Sequence, residues 1–192
     1  MSIHKDPPTW LYKPIQLDNL KQIQSEILPI ILKKIPNFIF EPPDFYRLLP
    51  EDIVPYAPSY IELIKTIGIY DRWLLSAVIT TNRGIVTPIH VDNKNWFKNC
   101  YGLNIPIVNC EGTYTVWYDA EIGDSLYEEG DWRDTACSQK ENTPATEIGR
   151  WEMSQPAWIN VSIPHQAVST HMKPRAIISA RFDPEIHELL YN

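Results

Sequence analysis

The sequence is poor in the residues that form disulfide frameworks or thiolate metal sites. Its 192 residues include only three cysteines, Cys100, Cys110 and Cys137, which are odd in number and lack CxxC spacing. Zinc ribbons and thioredoxin-like sites need cysteines paired at short spacing, so both classes are excluded. We therefore expect three reduced thiols in an intracellular protein.

Long basic runs and long apolar runs are also missing. The 17 Lys and Arg are scattered through a chain of formal charge −7, which argues against a duplex-binding surface. No apolar stretch approaches the ~20 residues of a membrane-spanning helix. Residues 1–14 contain three prolines and no apolar centre that would mark a signal peptide. We expect a cytoplasmic protein with no nucleic-acid or membrane partner, and its oligomeric state stays open.

The chain does contain enough apolar and aromatic residues for one packed core. Hydrophobic residues make up 44% of the sequence, and seven Trp, ten Tyr and five Phe argue against disorder. A chain of this length is large enough for one well-buried core and short for two. We predict a single domain over residues 1–192.

The first third of the sequence predicts helices interrupted by prolines. Apolar residues recur at helical spacing from Leu17 to Ile31, and Asp18 is the expected N-cap of that helix. Ser59 is the expected cap of a short second helix that stops at Gly68. Residues 1–68 are therefore predicted to be a helical, proline-rich prelude.

From residue 69 onward the pattern changes to short stretches of β-branched and aromatic residues between turn-forming residues. Eight strands are predicted, over residues 73–81, 85–91, 101–108, 113–118, 146–153, 157–162, 166–170 and 175–182. This order predicts a mainly β fold, a jelly-roll or cupin-like double-stranded β-helix over residues 69–183, with the helices against one sheet. Residues 119–142 lack periodicity, so a loop insertion is predicted there.

His90 and Asp92 are the first candidates for chemistry. Side chains two positions apart on a strand point to the same face, so both can reach one metal ion. Such a tripeptide is common, and the alternative is a core histidine followed by a turn aspartate.

His165 strengthens the metal interpretation. It opens a predicted strand far along the chain, after an apolar run that includes Trp158 and Val161. Two imidazoles and one carboxylate on one face of an octahedral ion leave positions open for exogenous ligands, which is typical of non-haem Fe(II) oxygenases. Arg175 follows ten positions later and is suited to bind a carboxylate.

These four residues, with the segment HQAVSTHMKPRAIISARFDPE, make the chain similar to the Fe(II)- and 2-oxoglutarate-dependent dioxygenase superfamily. The resemblance covers roughly residues 90–185. It implies that His90, Asp92 and His165 are the catalytic iron ligands and that Arg175 binds the distal carboxylate of 2-oxoglutarate.

The same segment resembles aspartyl/asparaginyl β-hydroxylases, in which a His, an Arg ten positions later, an apolar strand and a closing Pro-Glu occur in the same order. Those hydroxylases lack a carboxylate ligand, whereas this chain keeps Asp92. It is therefore closer to the general oxygenase pattern, and the substrate of that subfamily is not transferred to it.

Three more residues are candidates for binding the co-substrate. Arg181 shares a strand face with Arg175 and is a second possible anchor, although the spacing favours Arg175, with Ser179 as a helper. Asn104 interrupts an apolar run. It either contacts co-substrate oxygens or faces solvent on an edge strand near Pro106.

The resemblance implies an oxidoreductase, a hydroxylase of a protein side chain, an amino acid or a small metabolite. Two alternatives remain. One is a cupin metalloenzyme that does not use 2-oxoglutarate, which leaves Arg175 unexplained. The other is a non-catalytic jelly-roll binding module in which His90 and His165 are structural.

Overall fold

Two six-stranded antiparallel sheets form the body of the protein. The computed structural model describes residues 10–38, 45–81, 84, 86–92, 101–125, 136–170 and 173–182. Within these residues no helix is both long enough and apolar enough to span a bilayer.

The secondary structure begins with helices and ends with strands. The helices are α1 (Leu20–Lys34), α2 (Pro50–Ile53) and α3 (Pro58–Thr66), and a 3-10 turn covers Tyr70–Arg72. The strands are β1 (Tyr12–Pro14), β2 (Phe45–Leu48), β3 (Trp73–Thr81), β4 (His90–Val91), β5 (Tyr101–Val108), β6 (Thr113–Ala120), β7 (Ile122–Ser125), β8 (Cys137–Gln139), β9 (Ala145–Glu152), β10 (Ala157–Asn160), β11 (His165–Ser169) and β12 (Arg175–Phe182).

The strand order is that of a jelly roll. The first sheet has the order β1-β10-β5-β12-β3-β2, and the second has the order β7-β8-β4-β11-β6-β9. Strands that follow one another in sequence, such as β10, β11 and β12, alternate between the two sheets. The predicted cupin-like double-stranded β-helix is thereby confirmed.

The two faces of β12 pack against different parts of the protein. All eight residues of β12 are buried. One face packs with α1 and α3 in the main core, through Ala176, Ile178, Ala180 and Phe182. The alternate positions point between the sheets, where Ile177 packs on Met153 and Cys110. The helices therefore cover the outside of the first sheet, and the interior face of β12 is left for polar residues.

The helix caps differ from the prediction. The residue before α1 is Asn19 rather than Asp18, and its side chain makes no capping hydrogen bond. Ser59 lies inside α3, which follows Ala57. Its backbone N–H and hydroxyl donate to the carboxylate of Glu26 on α1, at 2.8 and 2.7 Å. The cap predicted at Ser59 was wrong because a carboxylate from another helix supplies the acceptors at the start of α3.

The predicted loop over residues 119–142 is wrong at both of its ends. β6 continues to Ala120, and β7 and β8 pair with each other at the edge of the second sheet. Residues 126–135 of this range lie outside the described residues. β7 and β8 are only four and three residues long, and neither carries a clear apolar alternation, which is why the sequence did not predict them.

The predicted strand over residues 85–91 is shorter than expected, with β4 limited to His90–Val91 and one isolated bridge at Val86. The short strands β1 and β2 were not predicted. Each lies at an edge of the first sheet, where few residues pair.

Candidate metal centre

His90, Asp92 and His165 converge at one end of the second sheet. His90 and His165 are direct cross-strand partners on β4 and β11, and their ring centroids lie 4.6 Å apart. One ligand atom from each of the three residues lies within 4.8 Å of the others. Asp92 follows β4, and its backbone N–H donates to Val161 O at 2.9 Å, which fixes the turn that carries the carboxylate.

Hydrogen bonds to the backbone set the imidazole tautomers. His90 Nδ1 lies 2.8 Å from Pro88 O, and His165 Nδ1 lies 2.9 Å from Ile163 O. A carbonyl oxygen can only accept, so each Nδ1 carries a proton. In the neutral rings the Nε2 lone pairs are then free to bind a metal, with the orientation held by the second nitrogen.

Both Nε2 atoms face the same carboxylate oxygen. Asp92 Oδ1 lies 3.3 Å from His90 Nε2 and 3.7 Å from His165 Nε2. Side-chain exposure is 23% for His90, 24% for Asp92 and 9% for His165. The cluster is therefore reachable from one side and closed on the other, as expected for a site with open coordination positions.

The protonation states suit metal binding. Burial, and then the neighbouring His90 imidazole, lowers the pKa of His165 to about 4, so its ring is neutral at neutral pH. Burial alone would lower the pKa of His90, but the hydrogen bond to Asp92 and the charge of that carboxylate outweigh it and raise the pKa. A metal ion would therefore compete with a proton at His90.

Asp92 is held ionised by Arg181. Burial would raise the pKa of Asp92, but the guanidinium charge and the hydrogen bond with His90 lower it well below the usual range. Arg181 Nη2 donates to Asp92 Oδ2 at 2.6 Å. Because Oδ2 is engaged by Arg181, Oδ1 is the oxygen that faces the two histidines.

Arg175, the expected anchor for the co-substrate, lies deeper between the sheets. It is fully buried, and its Nη1 is 3.2 Å from Met153 Sδ. Burial lowers the pKa of Arg175 to about 10, and the group stays charged at neutral pH. A buried guanidinium in such surroundings is suited to bind an anionic ligand.

Ser179 and Asn104 are cross-strand partners on β12 and β5. β5 lies between β10 and β12, so the alternative that Asn104 sits on an edge strand is wrong. Pro106 is tolerated in this central strand because the register with β12 shifts beside it. Asn104 Oδ1 and Ser179 Oγ are buried, and neither has a hydrogen-bond partner in the described part of the chain.

A small cavity lies between the two sheets. It is lined by Asn104, Pro106, Trp151, Met153, Gln155, Ile159 and Ile177. Met153, the contact of Arg175, and Asn104, the partner of Ser179, both border it. Of the predicted co-substrate residues, Asn104 lines this cavity directly, whereas Arg175, Ser179 and Arg181 do not.

Sequence reasoning missed Gly102, Met153 and Trp151. Gly102 could have been found, because it shares a strand face with Asn104 two positions on. Met153 and Trp151 carry no sequence signal that separates them from ordinary core residues.

The sequence matches no protein-family model and no curated protein at a significant level. Among solved structures, the non-haem α-ketoglutarate-dependent carbocyclase SnoK from nogalamycin biosynthesis aligns with 90% of this chain and 78% of its own, with a TM-score of 0.52 and 12% identity. This likeness shows the fold.

Weaker likenesses extend to two further proteins. Oxalate decarboxylase from Lactobacillus farciminis aligns with 73% of this chain and 28% of its own, with a TM-score of 0.34 and 8% identity. E. coli ycfD aligns with 66% and 30%, with a TM-score of 0.39 and 12% identity. This chain spans less than a third of either protein.

Proposed function

We propose that this protein is a non-haem Fe(II)- and 2-oxoglutarate-dependent oxygenase that hydroxylates a small molecule or a protein side chain. The observation that carries the proposal is the convergence of two imidazole Nε2 atoms and one carboxylate oxygen, within 4.8 Å of one another, at the mouth of a jelly roll. Two nitrogens and one oxygen are the donor set of the facial triad.

The residues present fit an iron ion. His90, Asp92 and His165 would hold it, with both histidines presenting Nε2 and Asp92 presenting Oδ1. Three protein ligands leave room for exogenous ones, which a purely structural metal site would not. The backbone carbonyls behind each imidazole are the kind of support that metal-binding histidines require.

The residues between the sheets fit 2-oxoglutarate. Arg175 would bind the distal carboxylate as a bidentate donor, since its planar guanidinium suits the geometry of a carboxylate. Ser179 and Asn104 are neighbours across β12 and β5, and each offers a buried polar atom that has no hydrogen-bond partner among the described residues. An anion in this position would satisfy groups that are otherwise buried at a cost.

Bound iron with 2-oxoglutarate supplies the oxidising chemistry that no protein side chain can provide. The chain itself contributes geometry and exclusion of water. His165 stays neutral and fixed in direction, Asp92 stays ionised, and the apolar walls formed by Ile159 and Ile177 keep the interior dry.

The proposal also covers the location, substrates and partners of the enzyme. The enzyme would act in the cytoplasm on a free small molecule, an amino acid or a protein side chain, without nucleic-acid or membrane partners. The likeness to SnoK supports a fold that accommodates such chemistry, and the proposal rests on the residues of this chain.

The decisive experiment measures metal content, co-substrate binding and succinate formation. Purified protein loaded anaerobically with Fe(II) should bind one ion and then one 2-oxoglutarate, and should release succinate when oxygen is admitted. His165→Gln should lose the ion, and Asp119→Asn, at an exposed carboxylate on β6, serves as the control. A wild-type protein that binds iron but no 2-oxoglutarate would instead favour a cupin metalloenzyme that does not use this co-substrate. Binding of neither ligand would favour a non-catalytic jelly-roll module.

A further inference from the structure

We propose that Asn160 is a positioning residue for the candidate metal centre. Asn160 ends β10, and its side chain fixes residues 161–164, which we call the support segment. Backbone carbonyls of the support segment in turn hold Asp92 and His165 in place. Only the presence of a metal ion rests on the proposed function, because the hydrogen bonds that hold these residues belong to the folded chain.

The support segment holds two of the three candidate ligands. Val161 O accepts the backbone N–H of Asp92 at 2.9 Å. Ile163 O accepts the Nδ1–H of His165, also at 2.9 Å. The first bond fixes the backbone that carries the carboxylate, and the second fixes the direction of Nε2. Any displacement of the support segment would therefore move both ligands at once.

An Asx-turn at Asn160 sets where the support segment begins. Asn160 Oδ1 accepts the backbone N–H of Ser162 at 3.1 Å. Such a bond, from the N–H to a side chain two residues earlier, holds the chain in a turn in place of a backbone partner. Asn160 is only 3% exposed, so bulk water has little access to replace the amide as acceptor. The side chain therefore determines the direction in which the chain leaves β10 towards His165.

Asn160 is itself held by the N-terminal segment and by the second sheet. Its backbone N–H donates to Leu11 O at 2.9 Å, and its Nδ2 donates to Trp10 O at 3.3 Å. Its backbone carbonyl accepts the Nε1–H of Trp117 at 2.9 Å. Trp117 is fully buried on β6 and is the cross-strand partner of His165. These contacts give the Asn160 amide a fixed position from which to hold the support segment.

The partners of the Asn160 side chain require an amide. The N–H of Ser162 can only donate and the carbonyl of Trp10 can only accept, so the side chain between them must offer both an acceptor and a donor. Asn160→Ala removes both atoms. Asn160→Ser retains a hydroxyl oxygen that can accept the N–H of Ser162 in the weaker ST-turn. The two variants therefore grade the strength of the turn at one position.

Anaerobic titration with Co(II) measures how well the ligands are positioned, because the visible absorption of this ion depends on the geometry of its ligands. We expect Asn160→Ala to bind Co(II) at least about tenfold more weakly than wild type, the usual cost of losing the groups that orient metal ligands. The intensity of its absorption bands at saturation should also change. Asn160→Ser should lie between the two, about threefold weaker than wild type.

Hydrogen exchange in the metal-free protein, followed residue by residue by NMR, tests the same coupling without any ion. The amides of Ser162 and Asp92 should exchange at least about tenfold faster in Asn160→Ala, because the acceptor of one is lost and that of the other is displaced. The amides of β3 and β12 should accelerate by a smaller factor, because their partners are unchanged. Exchange that rises by one common factor everywhere would show a loss of overall stability and no positioning role.

Glu26→Ala is the matched control for lost stability. It removes hydrogen-bond acceptors at the start of α3, on the helical side of the first sheet, and should keep the Co(II) affinity and spectrum of wild type. Wild-type affinity and spectrum in both Asn160 variants would overturn the positioning role. So would an Asn160→Ser that binds Co(II) no better than a folded Asn160→Ala. If Asn160→Ala fails to fold, wild-type affinity, spectrum and exchange in Asn160→Ser would overturn it.

The outcomes are separable from those of the proposed function. Co(II) binding that depends on Asn160, without any response to 2-oxoglutarate or release of succinate, would sink the oxygenase and support the positioning role. If wild type binds no Co(II), the metal centre is refuted. The exchange rate of the Asp92 amide in Asn160→Ala then decides by itself whether Asn160 holds the support segment, and an unchanged rate would overturn that role too.

Discussion

Arg181 and Asp92 join the two sheets through a single hydrogen-bonded ion pair. Arg181 lies near the end of β12 in the first sheet, Asp92 follows β4 of the second, and the Nη2–Oδ2 distance is 2.6 Å. The guanidinium occupies one carboxylate oxygen and leaves the other to His90 and His165. This contact thus orients Asp92, a candidate metal ligand, and links the two sheets.

Asp92→Asn should destabilise the metal-free protein and abolish tight metal binding. It removes the counter-charge of a nearly buried guanidinium, a change that costs about 3–5 kcal/mol in fully buried pairs. We expect about 2 kcal/mol here, because the Asp92 side chain is 24% exposed.

Urea denaturation and anaerobic metal titration measure the two effects of Asp92→Asn. The exposed Asp119→Asn on β6 is the control and should change neither quantity. Wild-type metal affinity in Asp92→Asn would refute the ligand assignment.

Arg175→Met should separate co-substrate binding from metal binding. The substitution removes the proposed partner of the distal carboxylate, and we expect 2-oxoglutarate to bind at least about 30-fold more weakly. Iron affinity should stay within about twofold, because Arg175 lies along β12 from the ligand cluster. An apolar side chain beside Met153 should leave stability unchanged or raise it by about 1 kcal/mol.

Calorimetry with 2-oxoglutarate checks the assignment of Arg175. If Arg175→Met retains 2-oxoglutarate while Arg181→Met loses it, the sequence-based preference for Arg175 as the distal anchor is wrong.

The stability of the metal-free protein should fall as the pH is lowered from 6.5 towards 4. His165 has an unfolded pKa near 6.5 and a folded pKa of about 4, so in this window the unfolded chain binds a proton that the folded one does not. Its contribution is therefore present above pH 6.5 and lost on acidification, on the order of 3 kcal/mol across the window. His90 acts in the opposite sense, because its pKa is raised by folding.

Urea denaturation at a series of pH values, with and without His165→Gln, isolates this contribution. The variant should lose less stability than wild type over the same window. Parallel pH profiles for the two proteins would show that His165 is not buried in its neutral form.

Glu26→Ala should destabilise the protein without altering the candidate site. The Glu26 carboxylate accepts hydrogen bonds from the backbone N–H and the hydroxyl of Ser59 at the start of α3. Losing these acceptors should cost about 1–2 kcal/mol, comparable to the loss of an N-cap.

Thermal and urea unfolding give the size of the Glu26 effect. Glu62→Ala, on the exposed face of α3, is the control and should change stability by less than about 0.5 kcal/mol. Metal binding should be the same in all three proteins. If the stability of Glu26→Ala equals that of wild type, water replaces the carboxylate as acceptor without loss of stability.

The sequence predicted the buried strands best. The bounds of β3, β5 and β12 agree with their predicted ranges, because these central strands carry runs of β-branched and aromatic residues. β7 and β8 were missed because they are short and carry no clear apolar alternation. Ser59 was wrong as a cap because the acceptor at the start of α3 comes from another helix, and nothing in the structure explains why Asn19 rather than Asp18 precedes α1. The local sequence carries no signal for a partner that comes from a distant segment of the chain.

The sequence by itself also grouped His90, Asp92, His165 and Arg175, since residue type and spacing limit which chemistry these side chains can perform. Their roles as ligands and anchor stay predictions. Only the tertiary structure decided that Arg181 pairs with Asp92 and that Ser179 and Arg181 pack closely against Gly102. Those relationships depend on strands that are distant in sequence and adjacent in the fold, and their atoms meet only when the two sheets close.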